Sequence, residues 1–195
     1  MMKKLLLLLG VLLITTGSAF ALSSPRWSFF PVNVYIQHDG KNAANAQIVQ
    51  NAFKTWQSNS NYILKFLYKN SSGYAKNAQI RVKFADNIPE GGYYYINDMT
   101  MSKSFRNQYV RGFYMYVDIV IRTKEADGSK ISKKKLQAIA MQAVGRAVGV
   151  RCISDENSVM NCNSDFSKTT LTSKDIEALR QVYKYKYKSV KSKRK

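Results

Sequence analysis

The chain has 195 residues, 45% of them hydrophobic and including 13 Tyr and 9 Phe, which argues against disorder and suits one domain with a sizeable core. Lys and Arg outnumber Asp and Glu by 31 to 12, a net charge of +19, so the surface field attracts anionic partners without choosing among them. A single histidine, His38 beside a turn, makes no zinc site by itself.

Met1 to Ala21 reads as a cleavable export signal: Lys3 and Lys4, an apolar run Leu5 to Ile14, then small residues ending Ala19-Phe20-Ala21. The apolar run is too short to cross a bilayer comfortably, and no later segment is long and apolar enough to do so. Cleavage leaves 29 basic and 12 acidic residues, a net charge of +17. The predicted location is periplasmic or secreted, where an anionic envelope component, an acidic glycan or extracellular nucleic acid could meet that charge.

Val32 to Ile36 alternates as a half-buried strand. Asp39-Gly40 turns the chain, and Ala43 to Gln57 places Ile48, Val49, Ala52, Phe53 and Trp56 on one helical face. Strands follow over Tyr62 to Tyr68 and Gln79 to Phe84, with a turn at Asn70 to Gly73. Pro89 and Gly91-Gly92 break the next stretch, in which only Tyr93 to Ile96 reads as a short strand. Phe113 to Arg122 is predicted to be a core strand, its apolar face Phe113, Met115, Val117, Ile119 and Ile121.

Ser132 to Val150 spaces Leu136, Ile139, Ala140, Ala143 and Ala147 as a buried helix face. Its first turn carries Lys133, Lys134 and Lys135, where the helix dipole prefers acids; that misplacement suggests an anion-binding patch or simply a very basic composition. Cys152 and Cys162 are free to pair in an oxidising compartment, and closing so short a loop contributes roughly 2–3 kcal/mol in the chain-entropy model. Two free thiols are the alternative. Thr172 and Asp175 are spaced as a capping box, with Leu171 and Ile176 as its hydrophobic staple, ahead of a helix burying Leu179 and Tyr183. After residue 183 the alternation of Tyr with Lys184, Lys186 and Lys188 reads as a basic tail, either a solvated helix end or an anion-binding surface.

Several of these pieces resemble, in order and spacing, the catalytic domain of matrixins, within the metzincin zinc peptidases. Arg26-Trp27 with Pro31 to Ile36 is similar to the opening strand of secreted bacterial matrixins, and Ala52-Phe53-Lys54-Thr55-Trp56 to the AF-x-x-W of their first helix. Asn77 to Phe84 resembles their A-D-I-x-V-x-F strand, Ser158-Val159-Met160 their methionine turn, and Leu171 to Tyr183 their final helix. The resemblance covers most of Trp27 to Tyr183. It implies an α/β, zincin-like fold: a twisted, mixed, mostly parallel sheet with two packed helices and a C-terminal helix.

It also implies zinc, and here the sequence departs from the family. Gln142 to Gly149 aligns with H-E-x-G-H-A-x-G through Gly145, Ala147 and Gly149. The first ligand position is Gln142, the general-base position Ala143 and the second ligand position Arg146. The third ligand position falls on Cys152 or Ile153, depending on whether strict spacing or Ser154 guides the alignment. A guanidinium about 4 Å from a dication repels it by at most about 8 kcal/mol at an effective dielectric near 20. No cofactor and no catalytic residue therefore follow from this chain, and Met160 is left to pack beneath the former site.

The leading expectation is an exported pseudopeptidase that binds an unknown protein or anionic envelope component through its cleft or basic surface. An active metallopeptidase with an unconventional metal site and a cationic anionic-polymer-binding protein are the alternatives. Arg146 is expected to pair with Asp155, Glu156 or Asp118 in preference to binding an anionic ligand.

Overall fold

The computed structural model describes residues 24–192 apart from 70, 90, 106 and 107, with backbone alone at 101–111 and 185–192. The predicted export signal lies outside the described residues.

Five strands form one sheet: β1 (Val32–Ile36), β2 (Phe66–Tyr68), β3 (Ile80–Ala85), β4 (Tyr94–Phe105) and β5 (Gln108–Arg122), in the spatial order β2-β1-β3-β5-β4. The first three pairings are parallel and the last, β4 with β5, is antiparallel. The parallel pairs need crossovers, and the first is α1 (Ala43–Asn59) between β1 and β2. Two further helices follow the sheet, α2 (Lys133–Ala147) and α3 (Ser173–Ser192). Among the described residues no helix is long and apolar enough to cross a membrane.

Period-two burial in the strands and period-3.6 burial in the helices meet in one core. Val32, Val34, Ile80, Val82, Val117, Ile119 and Ile121 are buried along the strands. Val49, Ala52, Phe53 and Trp56 from α1, with Leu136, Ile139, Ala140 and Ala143 from α2, complete the same cluster. Residues alternating with these strand positions carry the polar work of the other face. There Arg81 and Asp118, opposite one another across β3 and β5, form a two-pronged ion pair with Tyr116 beneath the guanidinium, 4.8 Å from its ring centre.

Three expectations are corrected. The second strand begins at Phe66, not Tyr62, because Asn61 and Tyr62 take positive φ and Tyr62 stands in solvent. The stretch after Gly92 is a twelve-residue strand, β4, and it pairs with a β5 that begins at Gln108. Its length was invisible because the period-two pattern of an edge strand is weak. The strict alternation expected along Phe113 to Arg122 also fails. Met99 faces Tyr116 while Thr100 faces Tyr114, leaving Met115 without a partner; this bulge turns Met115 outward and Tyr114 into the core.

Candidate functional site

The site is assembled around α2, whose apolar and small residues let it sink between α1 and the sheet: ten of its fifteen residues are buried. Ser132 caps it, its hydroxyl accepting from the Lys135 N–H. The tightest approach is at Gly145, where an added Cβ would run into the Met160 sulfur and come within 2.7 Å of the Trp56 ring. At the other end Gly149, at φ 91°, closes a Schellman motif: its N–H donates to Arg146 O and that of Val150 to Gly145 O, both at 2.9 Å. A side chain at Gly149 would strike the Pro25 carbonyl.

The last carbonyls of a helix have no partner inside it and must find one when buried. Here aromatic donors from distant segments supply them. The Trp27 indole donates to Ala147 O (3.0 Å), Tyr183 to Val148 O (3.0 Å) and Tyr114 to Arg146 O (3.3 Å), while the Trp56 indole reaches Met141 O (2.8 Å). Burial pushes the Tyr114 and Tyr183 phenols upward from their ordinary range, so both remain protonated donors.

Beyond Gly149 the chain doubles back through a loop closed by the Cys152–Cys162 disulfide, with Cα atoms 4.8 Å apart. Ile153 N donates to Met160 O (2.7 Å) and Cys162 N to Ile153 O (3.1 Å), which sets the methionine turn beneath α2. Met160 itself is fully buried. Replacing both cysteines by Ser is expected to lower unfolding stability by roughly 2–3 kcal/mol, read by urea denaturation of oxidised wild type against the double variant.

Two polar residues lock this loop. Gln142, 7% exposed, donates through its amide nitrogen to Val159 O (3.2 Å) and Asn161 O (2.9 Å). Both partners are carbonyls, so only the NH2 end can face them. Asp175, wholly buried, accepts five hydrogen bonds: from the Ser158 hydroxyl, the Thr172 N–H and hydroxyl (both 2.8 Å), Met160 N (3.2 Å) and Val159 N (3.4 Å). The Asp175 N–H returns to Thr172 Oγ1 at 3.3 Å, completing the capping box at the start of α3. The same carboxylate thus caps a helix and anchors the methionine turn.

Above this floor lies a trough between α2 and the edge strand β4. One cavity of about 380 Å³ is lined by Tyr94, Tyr95, Ile96, Gln142, Arg146, Asn161 and the disulfide; a second, of about 550 Å³, by Ile96, Asp98, Tyr114, Arg146 and Arg151. Arg146 and Ile96 line both. Burial raises the Tyr94 phenol, opposed by the nearby Arg146 charge.

The expected ion pair of Arg146 does not form. Its guanidinium is exposed and enters none of the ion pairs among the described residues. Asp118 is committed to Arg81 on the far face of the sheet, and Asp155 to Lys174 at 2.6 Å. Lys135 is likewise no free cation: it meets Glu125 at 2.9 Å and Tyr93 Oη at 2.6 Å, and Lys135 foremost holds the Glu125 carboxyl below its ordinary range. Lys133 and Lys134 are exposed on the first turn of α2, away from the trough lining, and Lys184 is exposed on α3. The α3 backbone stays helical through Ser192, so the basic segment is an extension of that helix; the side chains of Lys186 and Lys188 lie outside the described set. His38 stands apart, its Nδ1–H donating to Ile36 O (3.1 Å) beside a separate small cavity under Tyr68.

The residues at the family's metal position do not fit zinc. The Gln142 amide presents hydrogens, already bonded, where a lone pair is required. Arg146 offers a fixed charge, Ala143 a methyl group, Ile153 an aliphatic chain and Cys152 a sulfur held in a disulfide. Among the described residues no three His, Cys, Asp or Glu side chains gather as a metal site would need.

A mixed sheet with two packed helices, a methionine turn below the second of them and a C-terminal helix tied to that turn define an α/β domain of the metzincin type. The chain belongs to the matrixin family: the family model described as Matrixin matches residues 27–184. No curated protein is detectably similar to it in sequence.

From the sequence, Gln142 reads only as a lost ligand and Asp175 only as a helix cap. Gln142 carried a usable signal, since a polar residue on an otherwise apolar helix face needs buried partners. Trp27, Tyr114 and Tyr183 carried none, because their acceptors lie 120, 32 and 35 residues away.

Proposed function

We propose that this chain is an exported matrixin-family protein that binds a partner in its trough without hydrolysing it. The observation that carries the proposal is the Gln142 amide, spent on two carbonyls of the methionine turn at the position from which a peptidase would hold its metal. With a methyl group at Ala143 there is no base to take a proton from water, and Arg146 makes the position cationic. Export is supported by the Met1–Ala21 pattern and by an exposed disulfide, which persists in oxidising compartments.

Elemental mass spectrometry of the purified protein is expected to find no stoichiometric zinc, and calorimetry at neutral pH no tight zinc binding. Cleavage of peptide substrates that a chelator abolishes would sink the proposal.

A further inference from the structure

The trough follows β4 from Tyr94 to Asp98, a run of about 13 Å at strand spacing, with Tyr94, Ile96 and Asp98 recurring along it at two-residue steps. β4 is the last strand of the sheet, and no further strand covers its outer side among the described residues. An edge of unpaired N–H and C=O groups beside a trough suits an extended chain, whose backbone can satisfy them.

Charge selects the kind of chain. The half at Tyr94 is lined by neutral residues except for Arg146, and that guanidinium has no acid bonded to it. The other half adds Arg151 and Asp98, whose charges offset, with Arg146 lining it as well, so the trough as a whole carries one net positive charge. A planar guanidinium with free donors matches a carboxylate through two parallel hydrogen bonds. One net positive charge balances one carboxylate, whereas a phosphate with nearly two negative charges would need a further cation in the trough. Tyr94 lines the same cavity, and burial raises its phenol.

We infer that the trough binds an extended peptide carrying a carboxylate, which Arg146 takes up. This rests on the non-hydrolytic function proposed above and names the ligand class. The carboxylate belongs either to an acidic side chain or to a chain terminus.

The test is fluorescence anisotropy with three labelled probes on the whole protein: Ala-Ala-Glu-Ala-Ala amide, Ala-Ala-Gln-Ala-Ala amide and Ala-Ala-Ala-Ala free acid. At least one carboxylate probe is expected to bind about tenfold or more tightly than the Gln probe, and which one does so identifies the source. Arg146→Gln should remove that preference. Lys134→Gln, which changes net charge equally at an exposed position outside the trough, should keep it. Equal binding of all three probes, no binding of any, or a preference that survives Arg146→Gln overturns the inference. So does displacement of every probe alike by a short oligonucleotide, which marks a general anion surface. Arg146 is exposed, so thermal melting of the variant should match wild type; the comparison among probes on the native protein holds even if it does not. Mass spectrometry of the recovered probes separates the two claims. Cleavage would overturn the non-hydrolytic function, whereas loss of carboxylate preference overturns only the ligand class.

Discussion

Asp175→Ala is expected to be the most damaging single change in the domain, lowering unfolding stability by about 3–5 kcal/mol. The carboxylate is wholly buried and receives the Ser158 and Thr172 hydroxyls together with three backbone N–H groups. Removing it strips those donors of their acceptor in a place water does not reach, and each buried donor left unmade costs about 1–3 kcal/mol. The donors belong to two elements, the methionine turn and the start of α3, so the loss is felt as separation of α3 from the floor of the trough. Urea denaturation checks the magnitude, and the thermal midpoint should fall by about 10 °C for a domain of this size. Thr172→Ala, which removes one donor and one acceptor of the cap while leaving Asp175 its other partners, should cost only about 1 kcal/mol. An Asp175→Ala loss no greater than that would mean the carboxylate acts as a helix cap and nothing more.

Gly145→Val should rank next, at about 3 kcal/mol or slightly more. On helical propensity alone, replacing a mid-helix Gly by Ala would be favourable by about 1 kcal/mol. The neighbours reverse the sign: Met160 and Trp56 are fully buried and stand where the new carbons must go. Trp56 cannot retreat without breaking its indole bond to Met141 O. Gly145→Ala should therefore destabilise by about 2 kcal/mol despite its better propensity. A double-mutant cycle with Met160→Ala tests the cause, because truncating the side chain beneath creates room for the new Cβ. The two changes together should cost at least about 1 kcal/mol less than the sum of their separate costs. Simple additivity would place the strain elsewhere.

The match to the matrixin family over residues 27–184 includes the loop beneath α2. Here Gln142, Asp175 and the Cys152–Cys162 disulfide hold it from three sides through hydrogen bonds and a covalent link.

What the sequence determined by itself was local. The alternation of Val32 to Ile36 is β1 to the residue, the apolar face of Ala43 to Gln57 is most of α1, and Thr172 with Asp175 forms the expected cap. The placing of Gln142, Ala143 and Arg146 within about one turn of one helix was likewise legible, because such neighbours are set by its pitch. Tertiary structure alone decided the rest. Whether Arg146 had an acid depended on Asp118 facing the far side of the sheet and Asp155 meeting Lys174 first. The inward turn of Tyr114 depended on a bulge created by pairing with β4, a strand whose extent its own residues did not announce. The convergence of Trp27, Tyr114 and Tyr183 on the end of α2 depended on strand order and helix packing. Propensity, capping and periodicity act within a few residues and are written in consecutive letters. Pairings across a sheet and donors for a buried helix end are chosen by the packing of the whole chain.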